Sequence, residues 1–243
     1  MVGKDALRVA GTEAVNCADM DLGALPGGDQ NILSALAEGL LADLRDAERV
    51  VLVANNPAID EADVQALELG PRDVMVSFNT CVKWQLLSSR WTNVFVHGFN
   101  APDHYFFGLP YRPEVQALWQ DPQARCFTVL VGVADAMSAL AGVTLLRERI
   151  PLPALWNYPL AQANRKSFVG PSTGFNALVL FDWLRREHGM NYRLLTLGYS
   201  NEAGKLWSGH AWDYERAWLA NADIETVVLQ SRLGWWRRLL KRR

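Results

Sequence analysis

The stretch "RVVLVANNPAIDEADVQALELGPRDVMVSFN" (Arg49–Asn79) decides the fold. Val50–Val53 is an unbroken apolar run, too short for a buried helix and stopped by two asparagines and a proline. That is a buried strand running into a loop. "EADVQALEL" (Glu61–Leu69) predicts a short helix, and "RDVMVSFNTC" (Arg72–Cys81) predicts the next strand. Strand, loop, helix and strand in this order build parallel sheets, with a ligand crevice outside the carboxyl ends of the strands.

Working outward, the same alternation continues. "NILSALAEGLLADLRD" (Asn31–Asp46) keeps Ile32, Leu33, Leu36, Leu40, Leu41 and Leu44 on one helical stripe. "WTNVFVHGF" (Trp91–Phe99) and "RCFTVLVGV" (Arg125–Val133) predict strands. "PEVQALWQ" (Pro113–Gln120) and "ADAMSALAGVTLLRER" (Ala134–Arg149) predict helices. The loop 150–168 carries two prolines near its start. "GPSTGFNALVLFDWLRREHG" (Gly170–Gly189) predicts a helix capped by Ser172 or Thr173 and stopped by Gly189. "NYRLLTLGYS" (Asn191–Ser200), "HAWDYERAWLANA" (His210–Ala222) and "IETVVLQ" (Ile224–Gln230) predict strand, helix and strand. The expectation is an irregular segment over 1–28 and a single α/β domain over 29–230. Its sheet is single, mostly parallel and flanked by helices.

Composition narrows the classes. The chain has 243 residues, 50% of them hydrophobic and 21% charged, which is enough for one sizeable core. It has no run of 18 or more apolar residues and no apolar segment typical of a secretory signal. Cys17, Cys81 and Cys126 are widely spaced, so a reducing compartment is expected and a metal cluster is not. The last nine residues, "WWRRLLKRR", hold Arg237, Arg238, Lys241, Arg242 and Arg243. Taking these five charges from a net of −2 leaves −7. Positive charge gathered at one end is not the spread basic face of a nucleic-acid binder. Trp235, Trp236, Leu239 and Leu240 share one helical stripe. Residues 231–243 therefore read as a basic amphipathic tail for a membrane surface.

Polar groups gather at the predicted strand ends. Asn55 and Asn56 follow the first strand and Asn79 the second, where α/β proteins hold ligands. Each is also a common turn residue. In "GPSTG", Ser172, Thr173 and Gly174 open a helix, a place that suits a phosphate or carboxylate. An ordinary cap is the commoner use of such residues. His97 and His104 lie in a loop-like aromatic stretch and can do proton work. His188 sits at a helix end, where it suits the dipole. His210 opens a helix. No phosphate-binding GxxxxGK[ST], no GxGxxG, no HExxH and no GxSxG occurs.

Taken in order, these segments resemble the sialyltransferase family with its large, small and very small motifs. Asn55 and Asn79 fall on the two asparagines of the large motif. "GPSTGFNALVLFDWLRREHGMNYRLLTLGY" follows the small motif through Gly198–Tyr199. His210 and Glu215 match the His, four residues, Glu of the very small motif. The resemblance spans Arg49–Leu229. It implies a Rossmann-like GT-A variant that transfers a keto-sugar acid (sialic acid or Kdo) from its CMP donor, with inversion. No metal and no cofactor are implied. Asn55, Asn79, Ser172, Thr173 and Gly174 are implied at the donor, with His210 as general base; Asn56 and Tyr199 are expected at the donor beside them. His97, His104 and Tyr158 are expected as acceptor or phosphate contacts, and Glu215 as structural support. The turn reads "ANNP" where animal members have Gly-Asn-Ser-Gly. Ser77 stands where they have Arg, and the small motif lacks their cysteine. The missing cysteine fits a cytoplasmic bacterial enzyme, and the basic tail leads to the expectation that it is peripheral on the inner face of the inner membrane. Its acceptor would be a glycan or a lipid-linked glycan of lipopolysaccharide or capsule. Two alternatives remain: a non-catalytic CMP-sugar or glycan-binding protein of the same fold, and an unrelated α/β enzyme using His97 or His104.

Overall fold

Short apolar runs bounded by polar turns leave the chain one economical arrangement, a sheet covered on both faces. The computed structural model describes residues 28–79, 81, 84–97, 104–106, 109–110, 112–131, 143–145, 157–159, 170–199, 206 and 209–229. Residues 1–27 of the expected irregular segment 1–28, and the whole expected tail 231–243, lie outside them; Gly28 itself opens a helix. Among the described residues seven strands form one sheet: β1 (Arg49–Val53), β2 (Asp73–Phe78), β3 (Thr92–His97), β6 (Arg125–Leu130), β7 (Val143–Leu145), β8 (Arg193–Leu197) and β9 (Glu225–Val227). Their order is β7-β6-β3-β2-β1-β8-β9, and every neighbouring pair is parallel. β4 (His104–Phe106) and β5 (Leu109–Pro110) make a separate antiparallel pair. The fold is an α/β, Rossmann-like arrangement.

Register places the apolar residues in two layers. Val50 is level with Val74 and Leu194 across β2, β1 and β8. With Leu52, Val76, Val94 and Val96 they face α1 (Gly28–Ala35), α2 (Glu38–Asp46) and α5 (Thr173–Glu187). Val51, Val53, Met75, Leu195 and Leu197 face the other side. There they meet Ile59, Val64, Leu67 and Leu69 around α3 (Glu61–Gln65). A capping box between Asp60 and Asp63 starts this short helix. α4 (Pro113–Gln120) lays Val115 against Phe95 on the same side. α6 (Trp212–Asn221) packs Tyr214, Trp218 and Leu219 against the α5 side.

The strand order reverses beside β1: β2, β3, β6 and β7 extend one way, and β8 and β9 the other. Side-by-side strands whose chains leave in opposite directions open a crevice at their carboxyl ends. At the opposite ends of these strands Arg49 pairs with Asp73, which also accepts from the Gly70 amide.

Three sequence expectations change. The stripe over Asn31–Asp46 is two helices, because Ala37 adopts an extended ψ of 133° before α2. Leu36 and Leu40 stay buried across the break, so the periodicity survives it. Val143–Leu145, expected within a helix, is a strand added to the edge at β6. The loop-like stretch after His97 contains the β4–β5 pair. Among the described residues, no helix is long and apolar enough to cross a membrane.

Candidate functional site at the strand carboxyl ends

Four sequence segments far apart in the chain meet above the carboxyl ends of β1, β2 and β8. The first is the turn after β1. Asn56 is buried, with its Nδ2 donating to the Gly198 carbonyl at 2.8 Å and its Oδ1 accepting from the Ala58 amide at 2.9 Å. Both ends of its carboxamide are thus engaged in joining the β1 turn to the β8 turn. Expected at the donor, Asn56 is instead part of the frame. Asn55 is exposed, and its Nδ2 donates to the Phe78 carbonyl at 2.9 Å.

The second segment follows β2. Asn79 has a φ of 45° and Cys81 likewise, a left-handed backbone that costs a non-glycine residue free energy. Asn tolerates it best, because its short carboxamide bonds locally. This backbone carries the Asn79 Nδ2 to within 3.3 Å of the Thr173 Oγ1. Cys81 is buried, and desolvation pushes its thiol up to about 11, so it stays protonated.

The third segment is the start of α5. Ser172 is its N-cap, and its Oγ accepts from the Phe175 amide at 3.0 Å. The same hydroxyl donates to Glu215 Oε2 at 2.7 Å, and the Ser172 amide donates to Glu215 Oε1 at 2.9 Å. A helix start leaves its first amides without intrahelical partners. Here Ser172 and Phe175 are served. The Thr173 and Gly174 amides take no partner among the described residues, so they are the donors left for an anion. The Tyr199 hydroxyl donates to the Gly174 carbonyl at 3.2 Å. Its proton is therefore committed there rather than to a phosphate, and burial raises its pKa well above the ordinary phenol value.

The fourth segment carries His210. Its Nδ1 lies 2.6 Å from the Gly170 carbonyl, and the Gly170 amide donates to the Gly209 carbonyl at 3.1 Å. A carbonyl only accepts, so in the neutral ring Nδ1 carries the proton and Nε2 holds the lone pair. Burial lowers the His210 pKa below its ordinary 6.5, opposed by the Gly170 contact. The ring stands edge-on to Trp212 at 5.0 Å. A neutral imidazole with a fixed tautomer is equipped to accept a proton.

Two of the residues expected as acceptor or phosphate contacts, His97 and Tyr158, are buried. His97 closes β3 between β2 and β6 at 1% exposure, and desolvation lowers its pKa to about 3. It is a neutral core side chain, not a surface contact. Tyr158 is also buried. Its hydroxyl donates to Glu215 Oε1 at 2.8 Å and accepts from the Ala211 amide at 2.6 Å. His104 opens β4, and its side chain lies outside the described residues. Glu215 accepts from Tyr158 and twice from Ser172. Burial raises its pKa against those bonds.

The Tyr158–Glu215–Ser172 network was not legible as such. Tyr158 stands in a stretch without periodicity, and only the fold brings it to α6. No group of three or more His, Cys, Asp and Glu side chains among the described residues is arranged to hold a metal ion. An open hollow of about 520 Å³ between α5 and α6, floored by Tyr214 and Trp218, does not border His210. No protein family, no curated protein and no solved structure matches this chain.

Proposed function

We propose that this chain is an inverting, metal-independent glycosyltransferase that moves a keto-sugar acid from its CMP donor to a hydroxyl of a glycan or lipid-linked glycan. The observation that carries the reading is the contact between His210 and Gly170. It holds the imidazole against Gly170, two residues ahead of Ser172, the N-cap of the helix that begins with Thr173 and Gly174. The donor phosphate sits on the Thr173 and Gly174 amides and the end of the helix dipole. Asn79 fixes the Thr173 side chain beside it, and Asn55 offers a carboxamide to the nucleoside. His210 Nε2 takes the proton of the acceptor hydroxyl as its oxygen attacks the anomeric carbon. The bond to the phosphate oxygen breaks, its electron pair leaves with CMP, and the centre inverts.

The donor is sialic acid or Kdo, both 2-keto sugar acids. The basic tail over 231–243 holds the enzyme at the inner face of a membrane bearing the acceptor. Transfer and donor-hydrolysis assays with CMP-sialic acid and CMP-Kdo, side by side, test the reading. Turnover of one donor, abolished by His210→Ala, is the expected result. CMP binding with no turnover of either donor would favour a non-catalytic binding protein. Deleting 234–243 should abolish binding to anionic vesicles while sparing transfer to soluble acceptors.

A further inference from the structure

Tyr158 lies outside every motif that the sequence presents, yet its hydroxyl touches the residue next to His210. Ala211 is the N-cap of α6, with φ −87° and ψ 72°, and has no side-chain acceptor of its own. In a capping box the N-cap amide donates to a side chain three residues on. Here it donates to Tyr158 at 2.6 Å instead. An amide can only donate, so the single hydroxyl proton of Tyr158 is directed to Glu215 Oε1. The ring is held by Phe175 of α5 at 6.0 Å and Tyr214 of α6 at 5.4 Å. Glu215 continues the chain of bonds to the Ser172 amide and hydroxyl, at the helix start that supplies the anion seat.

His210 is thereby tied on both sides. Its preceding residue, Gly209, accepts from Gly170, and its following residue, Ala211, donates to Tyr158. We propose that Tyr158 is a positioning residue for His210, setting the entry of the chain into α6 so that the imidazole meets the Gly170 carbonyl. This rests on the reading of His210 as the base. Without the hydroxyl, the Ala211 amide loses its acceptor and the turn before α6 is free to rotate. The ring then leaves Gly170, and the other tautomer, which carries its proton on Nε2, becomes populated. That tautomer cannot accept a proton at Nε2.

Tyr158→Phe keeps the aromatic packing and removes only the hydroxyl. Nitrogen-15 spectra of His210 should show the Nδ1-protonated ring in the wild-type chain and a tautomer mixture in the variant. kcat should fall on the order of 10-fold to 100-fold, as for other orienting partners, while donor KM stays within about twofold. An unchanged tautomer and unchanged kcat in Tyr158→Phe overturn the proposal. Turnover retained by His210→Ala would instead overturn the base assignment, and the spectra would still decide whether Tyr158 positions the ring. Hydrogen exchange at the Ala211 amide of the wild-type chain needs no substitution. A protected amide is expected, and exchange at the open-chain rate overturns the proposal.

Discussion

The Nδ1 atom of His210 and the carbonyl oxygen of Gly170 lie 2.6 Å apart, although 40 residues separate them in the chain. This contact fixes which ring nitrogen carries the proton and ties the imidazole to the segment that leads into α5. Burial holds the ring neutral below its ordinary pKa. His210→Ala should therefore lower kcat by roughly 10²-fold to 10⁴-fold while CMP still binds. The acidic limb of the wild-type rate profile should lie below pH 6.5, because the ring gains its proton only there. Isothermal titration with CMP and a pH–rate series check both.

Asn79 invites a pair of substitutions with different signs. Its left-handed φ of 45° suits glycine, so Asn79→Gly should be more stable than Asn79→Ala by about 1 kcal/mol. Both lose the contact with Thr173, so both should raise donor KM. Thermal melts set beside donor kinetics separate the two effects.

Glu215 is a buried acceptor of three hydrogen bonds. Glu215→Leu would strand the Ser172 amide and the Tyr158 and Ser172 hydroxyls, at about 1–3 kcal/mol for each group left buried without a partner. A fall in the denaturation midpoint is expected. An unchanged midpoint would show that Glu215 does not anchor α6 to α5.

Gly198 has φ +78°, and a Cβ built there would stand 2.6 Å from the Ile59 Cδ1. Gly198→Ala combines backbone strain with that close approach, and should lose about 2 kcal/mol or more. Urea denaturation of the variant measures it.

His97 gives the acid sensitivity its sign. Its folded pKa, about 3, is below the ordinary 6.5, so the folded state refuses a proton that the unfolded chain accepts. Stability is then intact above pH 6.5 and lost as pH falls toward 3. The loss is about 2 kcal/mol between pH 6.5 and pH 5. His97→Leu should flatten this part of the stability–pH curve; a parallel decline would assign it to other groups such as His210.

Much of the site was legible one segment at a time. Ser172 as a cap, the glycine stop at Gly189 and the strand ends at Asn55 and Asn79 follow from short-range chemistry. Local propensity could not choose between the adjacent Asn55 and Asn56. Only Asn56 points inward to Gly198, 142 residues away. Nor could it settle the surroundings of His97 and His210, since one follows a predicted strand and the other opens a predicted helix, and neither position fixes burial. The sheet buries the first between two strands and leaves the second partly open.

By itself the sequence determined the alternation of strands and helices, because a strand buried on both faces must be an apolar run and a helix start must satisfy its own amides. The tertiary structure decided which polar groups are buried in the frame, as Asn56 and Glu215 are, and which lie partly open, as His210 does. That choice depends on burial and on partners brought from distant segments, as Tyr158 meets Ala211 and Glu215, and no local pattern encodes them.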